Sequence, residues 1–147
     1  MANIQDFYKI VEDAIGQLGV DPNNCRDDEE NGAWALMRGN QEIWVDCWYV
    51  DDEDKIFFQV LAPVFELPEN MSVEFYRELL ETNYALFGVS FGIYKNMLAL
   101  KAIREANGMD AEEAFSIISN VGAYATEQTP ALSIKYLGVD PNIEENN

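Results

Sequence analysis

The chain has no histidine and only two cysteines in 147 residues. The first absence removes the commonest general base and the commonest metal ligand. Cys25 and Cys47 form no Cys-x-x-Cys or other ligand-like spacing, so reduced structural thiols are expected and no cofactor is. Basic residues are also scarce: nine Lys and Arg stand against 27 Asp and Glu, a formal net charge of −18. Such a charge repels phosphate backbones and anionic lipid, so neither nucleic acid nor membrane is expected as a partner. It favours solubility and basic partners at some cost in self-repulsion. No apolar run approaches the length of a membrane span. The opening MANIQDFYKIVEDAIGQLG is amphipathic and carries acids, unlike a signal peptide. A cytoplasmic location is expected.

What is present suffices for a packed core. Hydrophobic residues make up 48% and aromatics 12%, which excludes a disordered acidic tail. The length fits a single domain over 1–147, with its core in 4–137 and a polar tail in 138–147.

Residues 4–18 read as a helix, with Ile4, Phe7, Val11, Ile15 and Leu18 on one stripe and Asn3 as N-cap. The string LGVDPNN at 18–24 then returns as LGVDPNI at 137–143. Nothing flanking the two copies matches, so both read as helix stops rather than a duplicated site. Gly19 and Gly138 suit the left-handed position, Val20 and Val139 would fold back on Ile15 and Ile134, and Asp-Pro-Asn turns the chain.

Residues 33–65 alternate as strands. RGNQ (38–41) is a hairpin turn centred on Gly-Asn, and DDED (51–54) closes a second hairpin with a longer loop. These turns place Trp48 opposite Phe57, Asp46 opposite Gln59 and Trp44 opposite Leu61. Ile43, Val45, Tyr49, Ile56, Phe58 and Val60 form the other, core-covering face, joined by Trp34 and Leu36. A helix over 72–86 with Ser72 as N-cap follows, then a hairpin over 88–103 around Lys95-Asn96. The last main helix starts at Asp110, with Glu113 completing a capping box. Its stripe is Ala114, Phe115, Ile118, Val121 and Ala125. Thr129-Pro130 is expected to open a separate short helix over 131–137, since proline suits the first helical position. The fold class is thus α+β, an antiparallel sheet with helices in the order α-β-β-β-α-β-β-α.

Three motifs resemble chemical sites. GVSFG (88–92) matches the Gly-x-Ser-x-Gly elbow as a string, but that elbow needs a strand-to-helix turn and a histidine. The hairpin register does set Ser90 opposite Lys101, which defines the alternative of a small Ser-Lys hydrolase. Gly88, Gly92 and Ala99 otherwise read as a smooth surface for close packing. The acidic runs at 27–30 and 51–54 define a second alternative, a divalent-cation sensor, although neither matches an EF-hand loop. Asn70-Met71-Ser72 is a glycosylation sequon that reads here as a helix cap.

The informative feature is the reverse face of the first strands. Trp44, Trp48, Phe57 and Leu61 lie on it, with Met37 nearby and Glu42, Asp46 and Gln59 interspersed. Three large aromatics and a leucine present on the order of 600 Å². At about 25 cal/mol per Å², full burial is worth at most roughly 15 kcal/mol. Soluble monomers rarely leave such a patch bare, so a helix, a second subunit or a partner is expected to cover it.

The element order and the stretches LLETNYALFGVSFGIYKNMLALKAI (79–103) and MDAEEAFSIISNVGAYA (109–125) resemble the type III secretion chaperone-like superfamily. The similarity is greatest to its YbjN-like branch of sensory-transduction regulators. Its motifs are Leu79-Leu80 with Asn83 at a helix end, a Phe91-Gly92 strand, and Asp110 with Glu113 opening the last helix. The chain departs from the secretion chaperones where Gly19-Val20-Asp21-Pro22 replaces their usual Gly-Leu-Pro. The resemblance implies a homodimer and, in the secretion branch, binding of an extended polypeptide along apolar surface. It carries no catalytic residue.

The expected function is therefore a non-enzymatic protein-interaction module. Met37, Trp44, Asp46, Trp48, Phe57, Gln59 and Leu61 would receive a partner polypeptide of basic, amphipathic character. Phe75, Tyr76, Leu79 and Leu80 and Tyr84, which exceed one narrow helical stripe, would meet a second copy together with Gly92 and Ala99.

Overall fold

Asn3 opens the first helix, α1 (Ile4–Gln17), by accepting a hydrogen bond from the Gln5 N–H at 3.0 Å. The computed structural model describes residues 3–143; the last four residues of the expected polar tail, 144–147, lie outside them. Strands β1 (Ala33–Arg38), β2 (Gln41–Val50) and β3 (Lys55–Glu66) follow, then α2 (Val73–Ala85), β4 (Ser90–Tyr94), β5 (Met97–Glu105) and α3 (Ala111–Leu132). The order α-β-β-β-α-β-β-α is the one the sequence implies.

All strand pairs are antiparallel, and the sheet runs β1-β2-β3-β5-β4. Local turns set most of the register. Gly39, with φ at +59°, takes the first central position of the β1–β2 hairpin. Lys95 and Asn96, at +46° and +67°, make a two-residue turn with both centres left-handed. The pairs Trp48–Phe57, Asp46–Gln59 and Trp44–Leu61 form as expected. A bulge at Val64 separates Pro63, opposite Ala99, from Phe65, opposite Leu98. That extra residue turns Phe65 to the core side, where its ring lies 6.0 Å from Phe75 of α2.

The helices gather on one side. α3 packs on β2, β3 and β5, and α1 packs on α3 and β2. Phe58, Val60, Leu98 and Leu100 beneath them are fully buried. Gly122 of α3 sits so near β2 that a β-carbon would stand 2.9 Å from Ile43 Cδ1. Glu113 and Asp110 complete the capping box that starts α3, with hydrogen bonds of 2.8 and 2.9 Å.

Three expectations are corrected. α3 runs through Pro130 to Leu132 and continues as a π-helical turn over Ser133–Leu137, so no separate helix begins at Thr129-Pro130. Tertiary packing outweighs the ladder bond that proline lacks. Thr129 donates its hydroxyl to Gln41 Oε1 at 2.8 Å, Leu132 is buried, and the Tyr136 ring stands 4.9 Å from Phe75. Tyr49 keeps its register opposite Ile56 on the core-side face but lies uncovered at the strand end, 45% exposed, and donates its hydroxyl to Asp54. The two LGVDPN copies share their caps but not their packing. Gly19 and Gly138 are left-handed, and Asp21 and Asp140 accept from Asn23 and Asn142 N–H groups at 3.0 and 2.9 Å. Val20 packs on the core, whereas Val139 and Ile134 are exposed because the second copy ends a π turn whose last bond, Val139 N–H to Ser133 O, reaches one residue further back.

Candidate functional site

With the three helices on one side, the centre of the other side of the sheet is built from strand residues, bordered beside β1 by the 24–30 loop. Three cross-strand rows compose its centre. Ala35, Trp44, Leu61, Lys101 and Ser90 form one continuous row across all five strands. Ala33, Asp46, Gln59 and Ile103 form the next, and Trp48, Phe57 and Glu105 the third. Pleating dictates this, because each residue directly opposite another in an antiparallel pair shares its face.

The face is apolar but unevenly open. Met37 is 60% exposed and Trp44 37%. Trp48 and Phe57 are half-buried by each other, their rings tilted at 35° with centroids 6.3 Å apart. Leu61 and Gln59 are half-buried between strands. The self-stacking of Trp48 on Phe57 already hides part of the area counted from side-chain size. Asp46, half-buried in the same face, has its pKa raised by burial and then by the nearby charges of Glu30 and Asp27. Ile103, exposed and opposite Gln59, extends the patch onto β5. Sequence reasoning missed it because the β3–β5 pairing is not joined by a short turn; only the period-2 alternation of 97–105 hinted at its face.

A second apolar surface lies along α2. Phe75 and Leu79, expected at a dimer contact, are instead core residues of the same chain, and Ala99 is buried in the sheet. Tyr76, Leu80 and Tyr84 do face outward, with Leu80 71% and Tyr84 96% exposed. Val73 continues that stripe at helical spacing, and Phe87, just past the end of α2, is exposed as well. Gly92 is exposed, and a β-carbon there would meet nothing within 4 Å, so packing within the chain does not require glycine.

The alternative chemistries find little support in geometry. Ser90 and Lys101 are register partners on the open face, yet no hydrogen bond joins them among the described residues. Ser90 begins an exposed strand rather than a strand-to-helix elbow. No three acidic side chains among the described residues converge as metal ligands would. Cys25 and Cys47 are free and buried; burial pushes the Cys47 thiol up to about 12, which keeps it protonated and unreactive.

No protein-family model matches the chain, and no curated protein sequence matches it. Solved structures do. A chain of the ExsC–ExsE complex superposes with a TM-score of 0.61 at 16% identity, over 88% of this chain and 95% of that one. A chain of the HopA1–SchA chaperone–effector complex gives 0.61 at 7% identity, over 88% and 98%. A chain from the Yersinia pestis type III secretion chaperone SycH, in complex with a stable fragment of YscM2, gives 0.57 at 14% identity, over 82% and 98%. At these identities the likeness is one of architecture: the chain has the α+β fold of the type III secretion chaperones.

Proposed function

We propose that the protein is a non-enzymatic polypeptide-binding module of the cytoplasm, acting as a homodimer. It receives an extended partner segment on the open sheet face around Met37, Trp44, Asp46, Trp48, Phe57, Gln59 and Leu61. The observation that carries this reading is the one-sided helix layer, which leaves Trp44 and its neighbours with no helix over them among the described residues. The fold supports it, since the similar structures include a chaperone–effector complex and a secretion chaperone bound to a protein fragment. A secretion chaperone and a stand-alone regulator of the YbjN-like kind would perform the same physical act, burying a guest's apolar side chains against these aromatics. The acids interspersed on the face would orient a basic, amphipathic guest.

The test is affinity capture from the source organism with wild type and a Trp44→Ala/Trp48→Ala variant, followed by hydrogen-exchange mapping of the captured complex. Capture should fall at least tenfold in the variant, with protection on β1–β3 in the wild-type complex. Unchanged capture by a variant that melts like wild type would remove the docking face from consideration. A large loss of melting temperature would assign the two indoles to the fold instead.

A further inference from the structure

Beside Trp44 the open face dips into a groove. A cavity of about 560 Å³ runs along β1, floored by Ala33 and Ala35, the short side chains that β1 presents there. Trp44 forms one wall, flanked by Glu42 and Asp46; the 27–30 loop, with Asp27, Asp28 and Glu30, forms the other. That loop is held in place. Asp27 accepts hydrogen bonds from the Glu29 and Glu30 N–H groups at 2.9 and 3.0 Å and donates its own N–H to Ala33 O at 2.9 Å.

The groove combines two chemistries: the flat, partly exposed indole of Trp44, and carboxylates on both walls. Its one lining cation, Arg26, is already committed to Glu12 of α1 through hydrogen bonds of 2.5 and 2.6 Å. None of the lining acids has a salt-bridge partner among the described residues. Among the described residues, no three of its acids converge as ligands of a metal ion would. An organic cation on a slender apolar stem satisfies both walls at once, with its stem and charge over the indole and its donors toward the carboxylates.

We propose that this groove seats a basic side chain of the docked segment, arginine in preference to lysine because its planar guanidinium can stack on Trp44. This rests on the reading of the open face as a docking surface, yet it concerns one subsite that can be probed without any partner. N-acetyl-arginine amide is titrated into the full-length protein at constant ionic strength while the indole N–H resonances of its three tryptophans are followed. The Trp44 signal should shift saturably, and N-acetyl-citrulline amide, which has nearly the same shape without the charge, should not shift it. Asp46→Asn with Glu30→Gln should weaken the response about three- to fivefold. Ala35→Leu, which fills the floor, should abolish it. Tyr94→Ala, an exposed ring at the far end of β4, should leave it unchanged. Equal responses to the arginine and citrulline probes, or one spread over all three indoles, would overturn the subsite. If partner capture still depends on Trp44 and Trp48 in that event, the docking face survives without it.

Discussion

Asn83 shows how much one side chain can decide. It ends α2 beside the outer edge of β4 and behaves there as a missing strand. Its Oδ1 accepts the Phe91 N–H at 2.6 Å, and its Nδ2 donates to Phe91 O at 3.4 Å. The motif value of Asn83 was legible in the sequence; its partner was not, because the contact depends on where α2 lies over the sheet. Asn83→Leu should cost about 1–3 kcal/mol, read from urea midpoints, since it leaves two backbone groups unpaired. Glu12 supplies a pH-sensitive counterpart. Its hydrogen bonds from Arg26, and a further one from Trp34, hold its pKa below the ordinary 4.5. A lowered folded pKa gives stability that is fully present above that ordinary value and lost as the pH falls through the folded one. Glu12→Gln should therefore flatten the acid limb of the stability curve below about pH 4.5. An unchanged limb would assign it to other carboxylates. Asp46 acts in the opposite sense, its raised pKa making the ionised form a cost that acid relieves.

Elements were legible in proportion to how local their determinants are. Turn residues at Gly39-Asn40, 51–54 and Lys95-Asn96 fix the hairpin registers, and caps at Asn3, Ser72 and Asp110 fix helix starts. The aromatic rows of the open face follow from those turns, so most of the candidate site was readable. What escaped reading is non-local: the β3–β5 pairing that adds Ile103, the bulge that redirects Phe65, and the helix that ignores Pro130. In that last case the position-one preference of proline gave way to Thr129, Leu132 and Tyr136, each anchored to a distant part of the fold. Pro130→Ala would restore an N–H inside a helix and remove a ring clash. It should stabilise the protein by about 1–2 kcal/mol, part of the interior-proline penalty being offset by a freer unfolded chain. A lower melting temperature would mean that the π turn after Leu132 depends on proline.

Among the described residues, apolar side chains stay exposed both on the open sheet face and along α2, on a chain with a net charge of −18. In the proposed dimer the outer stripe of α2, Val73, Tyr76, Leu80 and Tyr84, with Phe87 just past its end, would meet the second copy. Leu80→Glu with Tyr84→Lys should convert a species of twice 16.7 kDa into one of 16.7 kDa by light scattering. A wild type that already scatters as a single chain at micromolar concentration would count against the dimer. Because the stripe rides on the helix layer while the Trp44 rows lie beneath the sheet, self-association and guest loading draw on separate real estate. A pair of subunits joined through α2 would keep two vacant berths, and damage to either surface should leave the other in working order.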